Sequence, residues 1–182
     1  MVVGFYGALG AAAVVFSAGR GDPDLFRLDD DVSVGALLAG PPVGIALGLL
    51  VVVVTGWLGR NTGWGRALEA AFRDLLGPLT TRDAFVLAAA SSIGEELVFR
   101  GALLPWLGLW PQAILFALLH VGPGWKFLPW TLSALVLGVV LGGVSFQLGS
   151  IGAAIAAHFT INYLNLRRIT GSGSPGGAGR LG

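Results

Sequence analysis

Long apolar runs, separated by short polar connections, fill most of the chain. They lie at about residues 2–18, 34–58, 84–106, 111–121, 128–148 and 150–166. Most of them approach the roughly 20 residues that a helix needs to cross a hydrocarbon core about 30 Å thick. The pattern predicts an all-α, polytopic membrane protein with about six transmembrane helices.

Two segments outside these runs have patterns of their own. Residues 60–83 contain apolar positions at helical spacing, which predicts an amphipathic helix at the membrane interface, although its charged residues fit equally well on a solvated helix face. Residues 169–182 are rich in Gly and Ser, which predicts a disordered tail. We therefore divide the chain into accessory helices with the amphipathic connection at 1–82, a four-helix core at 83–168 and the tail at 169–182.

The composition supports a membrane protein. Hydrophobic residues make up 54% of the chain and charged residues only 12%, and the mean hydropathy of +0.79 lies well above that of soluble proteins. The net charge of +1 gives no reason to expect a nucleic-acid partner. The absence of cysteine excludes disulfides, thiolate nucleophiles and thiolate metal sites.

Charged residues are distributed unevenly between the connections. The second connection carries Arg60, Arg66, Arg73 and Arg82, whereas the first carries five aspartates. The positive-inside rule then places both termini in the cytoplasm, and the abundance of Arg, Gly and Ala favours a bacterial inner (plasma) membrane. The first apolar run has no basic segment before it, so we expect a membrane span there rather than a cleaved signal.

The third apolar run contains two adjacent carboxylates and an arginine, in the stretch "SIGEELVFRG". An ionised side chain at the membrane centre costs about 2.5–3.5 kcal/mol on insertion scales, so these residues need an explanation. Glu96 and Arg100 are four residues apart, share a helix face and are able to pair. Glu95 lies about 100° away from Glu96 and has no obvious structural partner.

Three more polar residues lie in later runs: His120, His158 and Asn162. Counting 1.5 Å per residue from the predicted ends of each run places Glu95, His120 and His158 at about 12–14 Å below the outer boundary. A carboxylate and two imidazoles at one depth indicate a hydrolase that activates water, and Asn162 is suited to donate an amide hydrogen bond to an oxyanion.

Three short motifs, in this order, resemble those of the CPBP family, the CAAX-prenyl and bacteriocin-processing intramembrane proteases also called the Abi family. They are Glu-Glu-x-x-x-Arg at Glu95, Glu96 and Arg100, Phe-x-x-x-His at Phe116 and His120, and His-x-x-x-Asn at His158 and Asn162. The resemblance covers about residues 83–168. It implies that Glu95 activates water with help from His120, that His158 and Asn162 stabilise the oxyanion, and that Glu96 and Arg100 support the motif helix.

The resemblance leaves the cofactor open, because both metal-dependent and metal-free mechanisms are proposed for this family. Zinc held by Glu95, His120 and His158 is one alternative, but the compact His-Glu-x-x-His spacing of many zinc proteases is absent. We therefore favour a metal-free mechanism. The expected partners are the lipid bilayer and a peptide or membrane-protein substrate, with a C-terminal CAAX-like peptide as one form of it.

Other readings of the chain are a rhomboid-type serine protease with Ser145 as nucleophile, a proton-coupled transporter, and a non-catalytic membrane scaffold or bacteriocin-immunity partner. The glycines near Ser145 are more typical of helix packing than of a nucleophile site. A transporter predicts an inverted repeat, which we do not find in the sequence. An aspartyl protease needs two membrane aspartates, and every aspartate here lies in a connection. The intramembrane endopeptidase is therefore our hypothesis.

Overall fold

The computed structural model describes residues 1–22 and 24–171, and in that part of the chain every regular element is a helix. In chain order these are α1 (Val2–Gly19), α2 (Val34–Asn61), α3 (Gly63–Leu76), α4 (Thr81–Glu96), a π-helical segment (Leu97–Leu103), α5 (Leu104–Leu107), α6 (Leu109–Leu118), a 3₁₀ turn (Trp125–Phe127), α7 (Leu128–Leu148) and α8 (Gly152–Gly171). The predicted all-α class is confirmed.

Three helices are long and apolar enough to cross a membrane: α1, α2, and α7 together with the 3₁₀ turn before it. The other predicted runs are helical, but α6 has ten residues and is only about 15 Å long. The helices α4 and α8 contain charged and amide side chains, which lower their mean hydropathy. The number of six transmembrane helices therefore stays a prediction.

Helix α2 packs closely along α8, because glycines face α8 at one-turn intervals. A Cβ atom at Gly44 would lie 2.1 Å from the carbonyl oxygen of Ala153, and one at Gly48 would lie 2.7 Å from Cβ of Thr160. Small residues at four-residue spacing let two membrane helices bring their backbones together. This contact fixes α8, the helix that carries His158, against α2.

The connection between α1 and α2 docks on the turn between α7 and α8. The backbone N–H of Leu28 donates to the carbonyl of Gly149 at 2.8 Å, and the N–H of Ile151 donates to the carbonyl of Phe26 at 3.0 Å. Gly149 has φ +65°, a left-handed conformation that ends α7 and favours glycine. These two connections therefore lie on the same side of the helix bundle, as the predicted alternation of spans requires.

The amphipathic helix predicted within residues 60–83 is α3, which begins at the Thr62 cap. The carboxylate of Glu69 pairs with Arg168 on α8 at 3.0 Å, so this part of the charged face contacts protein. Helix α8 continues to Gly171, which makes the first three residues of the predicted tail (169–182) helical. The rest of that predicted tail, residues 172–182, lies outside the described residues.

Candidate active site

The first site residues lie at the end of α4, where the helix changes its hydrogen-bonding pattern. A capping box formed by Thr80 and Asp83 starts α4, which ends at Glu96 and continues directly into the π-helical segment. The wider turn buries four consecutive residues, from Phe99 to Ala102, which a regular helix rarely does. π-Helical turns are rare and occur frequently at functional sites.

Glu96 holds two other site residues through one carboxylate oxygen. Its Oε1 atom accepts hydrogen bonds from Nη1 of Arg100 at 3.0 Å and from Nδ1 of His158 at 2.7 Å. The side chains of Glu96 and Arg100 are fully buried. The i,i+4 pair predicted from the sequence is therefore formed, and it also orients an imidazole from α8.

Glu95 faces the two histidines from the neighbouring position on α4. Its Oε2 atom lies 3.6 Å from Nε2 of His120 and 3.9 Å from Nε2 of His158. All three side chains are largely buried, with exposed fractions of 14%, 17% and 8% for Glu95, His120 and His158. The same Oε2 atom accepts no hydrogen bond from any described residue.

The partners of the histidines determine which ring nitrogen carries the proton. Nδ1 of His120 lies 2.7 Å from the carbonyl of Phe116, and a carbonyl only accepts, so this nitrogen donates. Nδ1 of His158 donates to the Glu96 carboxylate in the same way. In the neutral rings both Nε2 atoms then carry lone pairs, and both face Glu95. Oε2 of Glu95 and the Nε2 atoms of His120 and His158 are then three hydrogen-bond acceptors around one small space, which is suited to bind a water molecule.

His120 lies two residues beyond the end of α6, not within a helix that continues to residue 121 as the sequence predicted. The helix ends at Leu118, and the N–H of His120 closes a tighter turn on the carbonyl of Ala117 at 2.9 Å. The carbonyl of His120 accepts from Thr131 at 2.7 Å, and its ring packs against Trp130 at 5.1 Å. Contacts with the start of α7 therefore hold the imidazole after the helix has ended.

Phe116 contacts both the buried arginine of the site and its two histidines. Its carbonyl orients His120, and its ring lies 4.4 Å from the guanidinium carbon of Arg100, a cation–π contact. The same ring packs edge-on against Phe99 at 5.0 Å and against His158 at 6.0 Å. The Phe-x-x-x-His spacing thus has a physical reason, since the turn that ends α6 brings the side chain of residue i+4 next to the carbonyl of residue i.

Asn162 lies one turn after His158, and its amide nitrogen donates to the hydroxyl of Ser91 at 3.1 Å. Ser91 is buried on α4, one turn before Glu95. Ser91 was not predicted as a site residue; its position four residues before Glu95, on the same helix face, is a signal that could have identified it.

Ser145 does not form a catalytic pair with histidine in the described part of the chain. Its hydroxyl is fully buried and has no hydrogen-bond partner there. Both ring nitrogens of His158 face glutamates instead. The arrangement gives no support to a serine protease of the rhomboid type.

A zinc ion held by Glu95, His120 and His158 requires their donor atoms to point at one centre. Among the residues described, no group of three or more His, Cys, Asp or Glu side chains is arranged to hold a metal ion. The choice between a metal-free and a metal-dependent mechanism stays a prediction, and the steps proposed below use no metal.

Comparison with known families adds to the geometry. Residues 78–164 match the model of the Rce1-like family, described as type II CAAX prenyl endopeptidase Rce1-like. The match extends from just before α4 into α8 and contains all seven motif residues, so the resemblance stated from the sequence is confirmed. No curated protein and no solved structure matches the chain.

Proposed function

With this match to an endopeptidase family as the premise, we propose that the chain is an intramembrane protease that uses a glutamate-activated water. The observation that carries the proposal is the placement of Glu95 Oε2 within 4 Å of the Nε2 atoms of His120 and His158. The partners of both Nδ1 atoms turn the two lone pairs towards that carboxylate. A general base must lie within hydrogen-bond reach of the proton that it abstracts, and a water molecule between these atoms would meet that condition.

In the proposed reaction, a water molecule donates one hydrogen to Oε2 of Glu95 and the other to Nε2 of His120. Its oxygen attacks the carbonyl carbon of the substrate, the carbonyl becomes an oxyanion, and the proton passes to Glu95. The tetrahedral intermediate then collapses, and Glu95 returns that proton to the leaving amine. The products are a carboxylic acid and an amine, so one water is consumed for each bond cleaved.

We assign stabilisation of the oxyanion to α8. Asn162 uses one amide hydrogen on Ser91, and the second is available for the substrate. We assign His158 a supporting role, because Glu96 binds its Nδ1–H and so fixes the ring beside Glu95.

An apolar cavity of about 340 Å³ lies between α1 and α4, and Tyr6, Ile93 and Gly94 are among its lining residues. It reaches the residue that precedes Glu95. We propose that a hydrophobic peptide, either a C-terminal CAAX-like segment or a membrane-embedded segment, approaches the carboxylate along this cavity. The proposed location is a bacterial inner membrane with both termini in the cytoplasm, as the distribution of arginine predicts.

The test is turnover of a quenched fluorescent CAAX-type peptide by the full chain in detergent. Glu95→Gln keeps the size of the side chain but removes the base, and His120→Ala removes the neighbouring acceptor, so we expect both to reduce kcat at least about 100-fold. Ser145→Ala is the control, because its hydroxyl has no partner, and we expect activity within twofold of wild type.

Each preparation is also assayed with and without a chelator, and again after zinc is added back. Turnover that persists in chelator and is lost in Glu95→Gln supports the metal-free mechanism. Turnover that chelator abolishes and zinc restores would instead establish a metalloprotease. Full activity in Glu95→Gln, or loss of activity in Ser145→Ala alone, contradicts the proposed site.

A further inference from the structure

We propose that Tyr6, on α1, is a positioning residue for Glu95: its phenol donates a hydrogen bond to the carboxylate and fixes the orientation of that base. The proposal rests on the function proposed above and adds a residue to its site. Tyr6 lies outside the family-matched residues 78–164, so the family match does not assign it a role.

The close approach of α1 to α4 places Tyr6 next to the catalytic motif. A Cβ atom at Gly94 would lie 2.9 Å from the carbonyl oxygen of Tyr6, 3.0 Å from its Cβ and 3.2 Å from its Cδ1. The two helices can therefore approach this closely only because residue 94 has no side chain. The next residue on α4 is Glu95, which brings the aromatic side chain and the carboxylate to the same crossing point.

The phenol of Tyr6 lies within electrostatic range of the Glu95 carboxylate. Tyr6 is partly buried, whereas its neighbours Phe5 and Gly7 are exposed. A tyrosine hydroxyl in an apolar environment usually has a hydrogen-bond partner. Glu95 is the partner that the packing at Gly94 supplies.

The phenol also provides a hydrogen-bond donor for Glu95, which the two histidines do not provide. In their neutral forms both imidazoles present a lone pair to Glu95, so neither donates a hydrogen bond to it. A donor from α1 holds the carboxylate on one side, and the Oε2 atom remains open towards the histidines. A hydrogen bond to an ionised group is stronger than one between neutral groups. The phenol of Tyr6 can therefore select a single orientation of the carboxylate.

The first arm of the test compares wild type, Tyr6→Phe and Tyr163→Phe in the peptide-cleavage assay. Tyr6→Phe removes only the hydroxyl, and we expect kcat to fall about 10- to 100-fold, the range for a hydrogen bond to a charged group. KM should stay within twofold, because the apolar ring still lines the cavity. Tyr163→Phe is the matched control, since the hydroxyl of Tyr163 accepts a hydrogen bond from Arg167 at 3.4 Å, near the end of α8.

The second arm does not depend on turnover. Infrared difference spectra identify the carboxylate band of Glu95 as the band lost in Glu95→Gln, and we expect Tyr6→Phe to shift that band while Tyr163→Phe leaves it unchanged. If wild type cleaves no peptide, the proposed function fails, but the band still tests the hydrogen bond. An unchanged band in Tyr6→Phe, or a kcat within twofold of wild type in an active enzyme, overturns the role of Tyr6.

Gly94→Ala provides a second variant that perturbs the same contact without changing the phenol. The added methyl group pushes α1 away from α4, so we expect the same band shift and a similar loss of kcat. Gly4→Ala is its control, because a Cβ atom there meets nothing within 4 Å. A wild-type spectrum in Gly94→Ala contradicts the proposal that the helix crossing positions the phenol.

Discussion

The buried pair of Glu96 and Arg100 gives a stability prediction that the structure allows us to quantify. Glu96→Gln keeps the shape of the side chain but removes the charge that neutralises Arg100. Besides the neutral amide oxygen of the new side chain, the guanidinium then keeps a 3.4 Å contact with the carbonyl of Leu137 and cation–π contacts with Phe116 and Phe99. Removal of one partner of a fully buried ion pair costs about 3–5 kcal/mol, and we expect about 3 kcal/mol here because Gln still accepts one hydrogen bond.

The double variant Glu96→Gln/Arg100→Met removes both charges and keeps an unbranched apolar chain in the space of the arginine. We expect its loss of stability to be smaller than the sum of the two single losses by at least about 1 kcal/mol, since neither charge is left unpaired. Reversible unfolding with SDS in mixed micelles, followed by tryptophan fluorescence, measures the four free energies of unfolding. The control is Glu69→Gln, whose ion pair with Arg168 is partly exposed, and we expect it to lose about 1 kcal/mol or less.

Additive single losses would falsify the reasoning, because they would mean that the two charges do not stabilise each other. A loss for Glu96→Gln no larger than that for Glu69→Gln would have the same meaning. A third outcome is a double variant that is more stable than wild type. It would indicate that the ion pair serves the site and does not stabilise the fold.

Two further predictions concern segments outside the site. Gly44→Ala should destabilise the protein and lower kcat, because its methyl group would meet the backbone of Ala153. The methyl group of Gly35→Ala, on the same helix, would make only an ordinary van der Waals contact with Oγ of Ser33 at 3.8 Å, so this variant is the control. Melting temperature and peptide turnover measure both variants. The backbone N–H of Arg27 holds the pKa of Asp24 below its ordinary value, and the Arg27 side chain adds an ion pair at 2.6 Å. That stabilisation is present above the unfolded pKa near 3.9 and is lost as pH falls through the lower folded pKa. Amide exchange in residues 24–28 should therefore accelerate below about pH 4. In Asp24→Asn the exchange should already be fast at neutral pH. Exchange that stays slow in that variant contradicts the second prediction.

Local rules predicted much of the fold. The apolar run at 128–148 has the bounds of α7, and the run at 34–58 stops three residues before the end of α2. Periodicity and length determine such helices. The spacing of four residues likewise predicted the pair of Glu96 and Arg100, because one helical turn places these side chains side by side.

Contacts between distant segments were not predictable in the same way. The π-helical segment after Glu96 accompanies the docking of Leu25, whose carbonyl lies 2.7 Å from the position of a Cβ atom at Gly101. The early end of α6 depends on Thr131, which binds the carbonyl of His120 from the next helix. The crossing of α1 and α4 places Tyr6 against Gly94, the residue before Glu95. None of these contacts has a periodic signature, since each joins segments far apart in the chain.

The glycines of α2 limit how the protein can be divided or recombined. The groove on α8 is shaped to a partner that has no side chains at Gly44 and Gly48, and it lies on the helix that carries His158. A chimera that replaces residues 34–61 with a generic apolar helix would separate α8 from α2 unless glycines recur in the same register. The family-matched segment, residues 78–164, is therefore not a transplantable unit, and engineering of this chain should treat α2 and α8 as one part.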